Sequence, residues 1–316
     1  MRFSILIPAF KIKFLKEAID SVLLQSCSDW ELVIVDDASP QNVHGVVEKY
    51  QDHRIHYYRN KIGFGAEHVV GNWNKCLEYA TGDYVICMGD DDKLLPNCLD
   101  EYSRLISEYP NMDLYHGQTL MIDENSKIVD VQDPRPVKES MLSIMYYRWF
   151  GNRNQYIGDW LFRRDVLVNR GGFTDLPFAW ESDDCSAFVA AKRNGVANTQ
   201  VPVFMYRVSR FTISSNTSNN KNKILAHYKA AEICKDLINT TPTDDLDIFY
   251  QSQLLSKFEK HLSKVITREV GSDILAHPLR IFYWLVRGKK YHVNKKNVCR
   301  SIIYAFQKSY ALRNDR

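Results

Sequence analysis

The chain has 316 residues, 45% hydrophobic and 12% aromatic, enough to bury a sizeable core in one large domain or in a domain with an appendage. Its seven cysteines are odd in number, form no CxxC pair and mostly sit inside apolar runs, which speaks against structural zinc and for a reducing, cytoplasmic compartment; no apolar run approaches the roughly 18 residues of a membrane span, and MRFSILIPAF is too short for a signal peptide. The net charge of +3 is uneven: Ala276–Arg316 has ten Lys/Arg against one acid, a surplus of +9, and the preceding residues carry −6, so two regions of different purpose are expected.

Along the first 110 residues, short apolar runs alternate with helical patterns. FSILIPAF reads as a buried strand, and FLKEAIDSVLLQ repeats apolar residues at Leu15, Ala18, Ile19, Val22 and Leu23, the spacing of one helix face. WELVIVDDAS is a second strand, 43–51 a short helix, IHYYRN a third strand, HVVGNWNKCLEYA a helix, and DYVICMGDD a fourth strand before a helix opening at Pro96. Such alternation predicts parallel βαβ units covered by helices on both faces, with a ligand site beyond the carboxyl ends of the strands.

Acidic residues gather at those ends: Asp36 and Asp37 close the second strand, and Asp90, Asp91 and Asp92 the fourth. Turn formation and helix capping account for one or two of these carboxylates, not five. Massed carboxylates repel one another unless a cation is present, and hard oxygen donors suit Mg²⁺ or Mn²⁺ carrying a substrate diphosphate.

The order SILIPAF, AIDSVLLQS, WELVIVDDAS and GDYVICMGDDDKLLP resembles the nucleotide-sugar half of family 2 glycosyltransferases over about the first 100 residues, and more weakly to about residue 215 through RGGFTDLPFAWESDD and VFMYRVSRFTISS. The resemblance implies a GT-A-like, Rossmann-related α/β fold with a mixed, mainly parallel sheet. It also implies inverting transfer of a sugar from a nucleotide-diphosphate donor, with UDP-sugar the expected class, to an acceptor hydroxyl. On that basis Pro8, Ala9 and Phe10 hold the base, Asp37 meets the pyrimidine ring, Asp36 shapes its pocket, Asp90 lies near the ribose, and Asp91 binds the metal with Asp92 beside it. Asn60, Gly63 and Asn72 fall in the segment that closes the nucleotide pocket, while Arg59 and Lys61 read as solvated surface. Gly89 stands where the common form L-D-x-D-D has its first aspartate, so the register rests on counting back from Pro96.

The second half, 111–215, is expected to hold the acceptor and the base. MDLYHGQTLMIDENSKIVDV reads as a hairpin turning near Asn125 and Ser126, and an amphipathic helix begins near Ser182. A sugar hydroxyl is a poor nucleophile and needs a base opposite the departing diphosphate. Family enzymes carry an acid at this helix start: Asp183 or Asp184 fits, with Asp183 preferred and Glu181 a third candidate, against a reading as carboxylates that only favour the helix dipole. Trp160 and Trp180 are sugar platforms or core, and Arg207 and Arg210, on a segment that orders over the nucleotide in relatives, offer forks to the diphosphate. The segment lacks the metal-binding histidine some relatives have there.

Residues 216–316 lie outside the resemblance and read as helices at 222–239, 244–269, 276–287 and 295–311 after the polar run SSNTSNNKNK. HPLRIFYWLVRGKKYH combines Ile281, Phe282, Tyr283, Trp284, Leu285 and Val286 with Arg280, Arg287, Lys289 and Lys290, a composition suited either to an anionic membrane surface or to a packing helix with solvated cations. The expected place is therefore the cytoplasm, peripheral on the inner face of the cell membrane, with a glycan or lipid-diphosphate-linked glycan of a bacterial surface polysaccharide as acceptor and no nucleic-acid partner. Absence of Q-x-x-R-W, the motif of processive synthases, favours addition of one sugar. Two alternatives are a sugar-phosphate nucleotidyltransferase, for which the first loop PAFKIKF lacks the needed glycines, and an inactive relative, which would have lost the acidic clusters.

Overall fold

The structure, a computed structural model, describes residues 2–151, 153–208 and 220–314, with side chains to residue 310. The predicted alternation is present: β1 (Phe3–Ala9), α1 (Leu15–Leu23), β2 (Trp30–Asp36), α2 (His44–Val47), β3 (Ile55–Arg59), α3 (Val69–Tyr79) and β4 (Tyr84–Cys87). β5 (Lys93–Leu94), α4 (Cys98–Glu108), β6 (Leu114–Ile122), β7 (Ile128–Val131), β8 (Lys138–Glu139), α5 (Met141–Phe150), β9 (Trp160–Arg163), α6 (Arg164–Asn169), α7 (Ser182–Ala191) and β10 (Val196–Arg207) follow.

These ten strands form one mixed sheet in the order β3-β2-β1-β4-β9-β6-β10-β5, with β7 on β6 and β8 on β10. The longer ladders, β1 with β2, β2 with β3, β1 with β4 and β6 with β10, are parallel; the short ones are antiparallel. β1 and β2 are near-continuous apolar runs because helices cover both their faces. α1 turns Leu15, Ala18, Ile19 and Val22 into the core, as the spacing predicts. The hairpin β6–β7 turns where expected, Ser126 taking the left-handed conformation at φ 60°.

The chain divides into two compact units: Met1–Asp175 with Ser182–Arg210, and Leu176–Glu181 with Phe211–Arg316. The sequence reading places a boundary near 215; no composition change marks Leu176–Glu181, which groups with the second unit. The second unit contains α8 (Asn220–Ile238), α9 (Asp245–Ala276), α10 (Arg280–Arg287) and α11 (Lys295–Asn314) around a core of Ile224, Ile266, Val270, Ile274, Trp284 and Val298. Asp244 caps α9, its carboxylate accepting from Asp247 N at 2.8 Å, and the helix continues past its expected end to stop just before His277-Pro278. Among the described residues no helix is long and apolar enough to cross a membrane.

Candidate active site

Residues 9–11 tie the carboxyl ends of three strands together. Asp37 N donates to Ala9 O at 3.0 Å and Ser39 Oγ to Phe10 O at 2.5 Å, joining the end of β2 to that of β1. The amides of Phe10 and Lys11 both donate to Asp90 Oδ2, at 2.8 and 2.7 Å, joining β1 to the turn after β4. Both acidic clusters thus hang from one short segment, on which Phe10 is 45% exposed.

On the β2 side, Asp37 is nearly buried in a cradle of its own chain: Asn60 Nδ2 and Phe64 N donate to Oδ1, each at 2.9 Å, and Gly65 N to Oδ2 at 3.0 Å. Asn60 passes on to Asn72 Oδ1 at 3.0 Å, and Asn72 to Val35 O at 3.0 Å. Gly63 is required by close approach, since a Cβ there would lie 2.5 Å from Asp37 O. The structure therefore brings Asp37, Asn60, Gly63 and Asn72 together. Asp36 differs: fully buried, it accepts from Ser39 N, from Tyr57 Oη and from Arg59, so it braces the loop and faces no ligand. Arg59, expected as solvated surface, is its ion-pair partner.

The three aspartates after β4 part ways. Asp92 accepts from Arg207 N at 2.9 Å and from Gly89 N at 3.3 Å. Asp90 holds the two amides already named. The carboxylate of Asp91, half-buried, takes a hydrogen bond from its own backbone amide and none from another described residue. Burial pushes Asp90 up to about 6 against the pull of the two amides, raises Asp91 although Lys11 opposes it, and with the Asp91 charge raises Asp92 well above the usual range. A cation would offset that cost, and of the three carboxylates that of Asp91 is the one not held by a hydrogen bond from another described residue. Gly89, in place of an aspartate, leaves room here: a Cβ would lie 2.8 Å from Asp91 Oδ1 and 3.0 Å from Asp92 Oδ2. Among the described residues no group of three His, Cys, Asp or Glu could hold a metal, so a cation at this turn would have to complete its shell with water and substrate oxygens.

The base candidates are also separated. Asp184 is 2% exposed, its oxygens taken by Arg148 Nε and Gln155 Nε2, both at 2.7 Å. It is part of the packing. Asp183, half-buried in the first turn of α7, accepts from Asp184 N at 2.9 Å. Glu181 belongs to the second unit, where its carboxylate meets His227 Nδ1 at 2.9 Å. Phe178, Ala179 and Glu181 all have positive φ, 60°, 55° and 66°, so the segment leading into α7 is strained.

Three expected contacts change character. Trp160 is fully buried, edge-on to His116 at 4.8 Å and beneath Arg135, and offers no face to a sugar. Arg207 lies in β10, not a loop, and is fully buried: Nε donates to Asp91 O at 2.7 Å, Nη1 to Asp123 O and Ser126 Oγ at 3.0 Å, and Nη2 to Glu17 at 2.9 Å. It fastens the aspartate turn instead of reaching outward. Arg210 lies outside the described residues. Trp180 sits in the second unit, its Nε1 donating to His227 Nε2 at 3.0 Å. Glu17, Arg148 and Gln155 were not legible as partners, because each meets a residue far away in sequence.

The profile described as Glycosyl transferase family 2 matches residues 4–169. The chain is 28% identical over 218 residues to the UDP-Glc:alpha-D-GlcNAc-diphosphoundecaprenol beta-1,3-glucosyltransferase WfgD of Escherichia coli, covering 67% of this chain and 79% of that one. Matches to two other curated relatives span only 40% and 47% of their lengths. Among solved structures, S. aureus TarS in complex with UDP-GlcNAc superimposes with a TM-score of 0.66 at 16% identity, over 98% of this chain and 92% of that one. The mannosyltransferase PcManGT from Pyrobaculum calidifontis, in complex with GDP-Man and Mn2+, gives 0.56 at 16% identity, over 99% and 86%. With that family match over more than half its length and this sheet, the chain belongs to glycosyl transferase family 2 and has the GT-A fold.

Proposed function

We propose that this chain moves one sugar from a UDP-sugar to a hydroxyl of a lipid-diphosphate-linked glycan, with inversion, in assembly of a bacterial surface polysaccharide. The observation that carries the reading is the union, on residues 9–11, of the Asp37 cradle with the turn that bears Asp90, Asp91 and Asp92. The match to WfgD, whose name gives a UDP-sugar donor and a diphosphoundecaprenol-linked acceptor, supports the substrate classes.

In this reading the segment Pro8–Phe10 and the Asp37 cradle position the base, and Asp90 holds that segment against the turn. Asp91 would bind Mg²⁺ or Mn²⁺, which neutralises charge on the leaving diphosphate when present. Asp183 takes the acceptor proton while the acceptor oxygen bonds to the anomeric carbon and the bond to diphosphate oxygen breaks on the opposite face. Asp184, through Arg148 and Gln155, fixes the helix turn that carries Asp183.

The second unit supports a location at a membrane surface. α10 turns Trp284 inward, its Nε1 donating to Asp273 at 2.8 Å, and leaves Leu279, Phe282, Leu285 and Val286 exposed beside Arg287, Lys289 and Lys290. α11 exposes Ile303, Phe306 and Tyr310. Apolar side chains rimmed by cations support seating on an anionic bilayer surface, where a lipid-linked acceptor resides.

Release of nucleoside diphosphate from a panel of UDP-, GDP- and dTDP-sugars, with lipid-diphosphate acceptor and with or without EDTA, tests the reading. Acceptor-dependent release from a UDP-sugar, abolished by EDTA, is expected. No release from any donor would leave an inactive relative, and EDTA-insensitive release would remove the metal.

A further inference from the structure

A cavity of about 150 Å³ lies beside the hairpin β6–β7 in the first unit, and no residue placed in the transfer chemistry above lines it. Met121 of β6 and Val131 of β7 give it an apolar wall, while Asp130, Asp133, Arg135 and Asn154 bring both donors and acceptors. Arg135 is 6% exposed and pushed down to about 10 by burial, against the attraction of Glu139 and Asp159. Its Nη1, 3.8 Å from Glu139 Oε1, has no hydrogen-bond partner among the described residues, so a donor is left over in the wall. Arg153 is fixed, its Nη1 donating to Glu139 Oε2 at 2.7 Å and its guanidinium lying 4.1 Å from the Tyr147 ring.

The charges of the lining cancel, two arginines against two aspartates, and the neighbouring Asn152, outside the described residues, is uncharged and leaves that balance as it is. A phosphate or a metal ion would add an uncompensated charge. A neutral occupant whose hydroxyls donate to Asp130 and Asp133 and accept from Arg135 and Asn154, and whose C–H face meets Met121 and Val131, satisfies every wall. A sugar ring has that chemistry, and the volume, several times the roughly 30 Å³ share of one water, admits one.

Position ties the cavity to the candidate active site. Asp130, Met121 and Tyr206 stand in register across β7, β6 and β10, so their side chains share one face of the sheet. Tyr206 stacks on Tyr156 at 3.7 Å; burial and the charges of Asp92, Asp91 and Asp183 raise Tyr206, and the charge of Asp130 bears on Tyr156. The stacked pair thus neighbours both the cavity and the acidic groups. On the other side, Arg153–Gln155 runs from the cavity wall to the side chain that holds Asp184, a span of at most about 7 Å between Cα atoms. We infer that this cavity is a carbohydrate subsite that takes the neutral sugar ring next to the one whose hydroxyl reacts, an assignment that rests on the function proposed above.

The test uses saturation-transfer NMR on the full-length protein, in EDTA and without nucleotide, with a panel of neutral disaccharides built from glucose, galactose, GlcNAc and GalNAc. Saturable binding of at least one is expected in the wild type, weakened about tenfold in Asp133→Ala and in Asn154→Ala, and lost in Val131→Arg, which fills the cavity. All three side chains are exposed, and circular dichroism checks folding. A control, Lys192→Gln, alters an exposed cation outside the cavity and should leave the affinity unchanged. No saturable binding of any disaccharide, unchanged affinity in all three cavity variants, equal loss in the control, or displacement of the disaccharide by sodium pyrophosphate would each overturn the inference. Steady-state transfer to a lipid-diphosphate-linked disaccharide adds the catalytic link: the acceptor KM should rise about tenfold in Asn154→Ala, with kcat and donor KM near wild type. Transfer with an unchanged acceptor KM in all three variants overturns this inference alone. Disaccharide binding without nucleoside diphosphate release from any donor overturns the function above and leaves a saccharide site.

Discussion

Asp92 and Arg207, 115 positions apart, are fastened together from both ends of the arginine: its amide donates to Asp92 Oδ1 at 2.9 Å while its Nε donates to the neighbouring Asp91 O at 2.7 Å. The same guanidinium reaches Glu17, whose carboxyl, raised by burial, is held below its usual range by Ser126 and Arg207. Replacing Arg207 by Met should lower unfolding free energy by roughly 3 kcal/mol, because Glu17 and the Asp91 carbonyl lose their donor together. Urea unfolding measures it; an unchanged midpoint would mean the arginine is dispensable to the turn.

Asp91 and Asp183 should separate binding from chemistry. Asp91→Ala is expected to abolish transfer and weaken metal-dependent nucleotide binding together. Asp183→Asn keeps shape but cannot take a proton, so turnover should fall about 10²–10⁴-fold with nucleotide affinity near wild type. Rapid-quench turnover beside calorimetric nucleotide binding decides; full activity in Asp183→Asn would refute the base assignment.

Gly63→Ala should damage the nucleotide pocket selectively. A Cβ 2.5 Å from Asp37 O must displace the loop that carries Phe64 N and Gly65 N, two of the three donors to Asp37. Nucleotide affinity is expected to drop more than about tenfold, with a modest loss in Tm. Wild-type affinity would show that the cradle does not contact the donor.

The buried His116 predicts a pH dependence of stability. Burial, reinforced by the charge of Arg135, pushes it down from 6.5 to about 4. As pH falls, the unfolded chain takes up the proton first, so the stabilisation is complete above about 6.5 and is lost as pH falls through about 4. His116→Gln should lessen the acid-side loss by up to about 3 kcal/mol, read as the narrowing gap between variant and wild-type melting from pH 7 to pH 4. Parallel curves would mean that His116 titrates normally.

Membrane seating should depend on both charge and apolar surface. Co-sedimentation with anionic vesicles is expected to fall steeply with salt, each Lys or Arg near the surface contributing roughly 1 kcal/mol, and to fall again in Phe282→Ser with Val286→Ser. Equal binding to neutral vesicles would rule out the electrostatic part.

The parallel half of the sheet was legible because β1, β2 and β4 are near-continuous apolar runs, each ended by polar or turn residues. β9 and β10 were harder to assign: one sits between two short helices and the other leads into polar sequence. Within the site, motif order placed Asp37 and Asp91 at one edge, but the separate fates of three adjacent aspartates were not readable, since Phe10, Arg207 and Lys11 decide them from elsewhere in the chain. Trp160 shows the same limit: composition cannot distinguish a platform from a core residue, and its complete burial can.

A single oxygen of Asp90 takes the amides of both Phe10 and Lys11, so the segment after β1 and the turn that bears Asp91 are pinned at one atom. Under the proposed function, a base resting on Phe10 and a cation on Asp91 would share this single oxygen as their common anchor, so a change that loosens one grip should loosen the other.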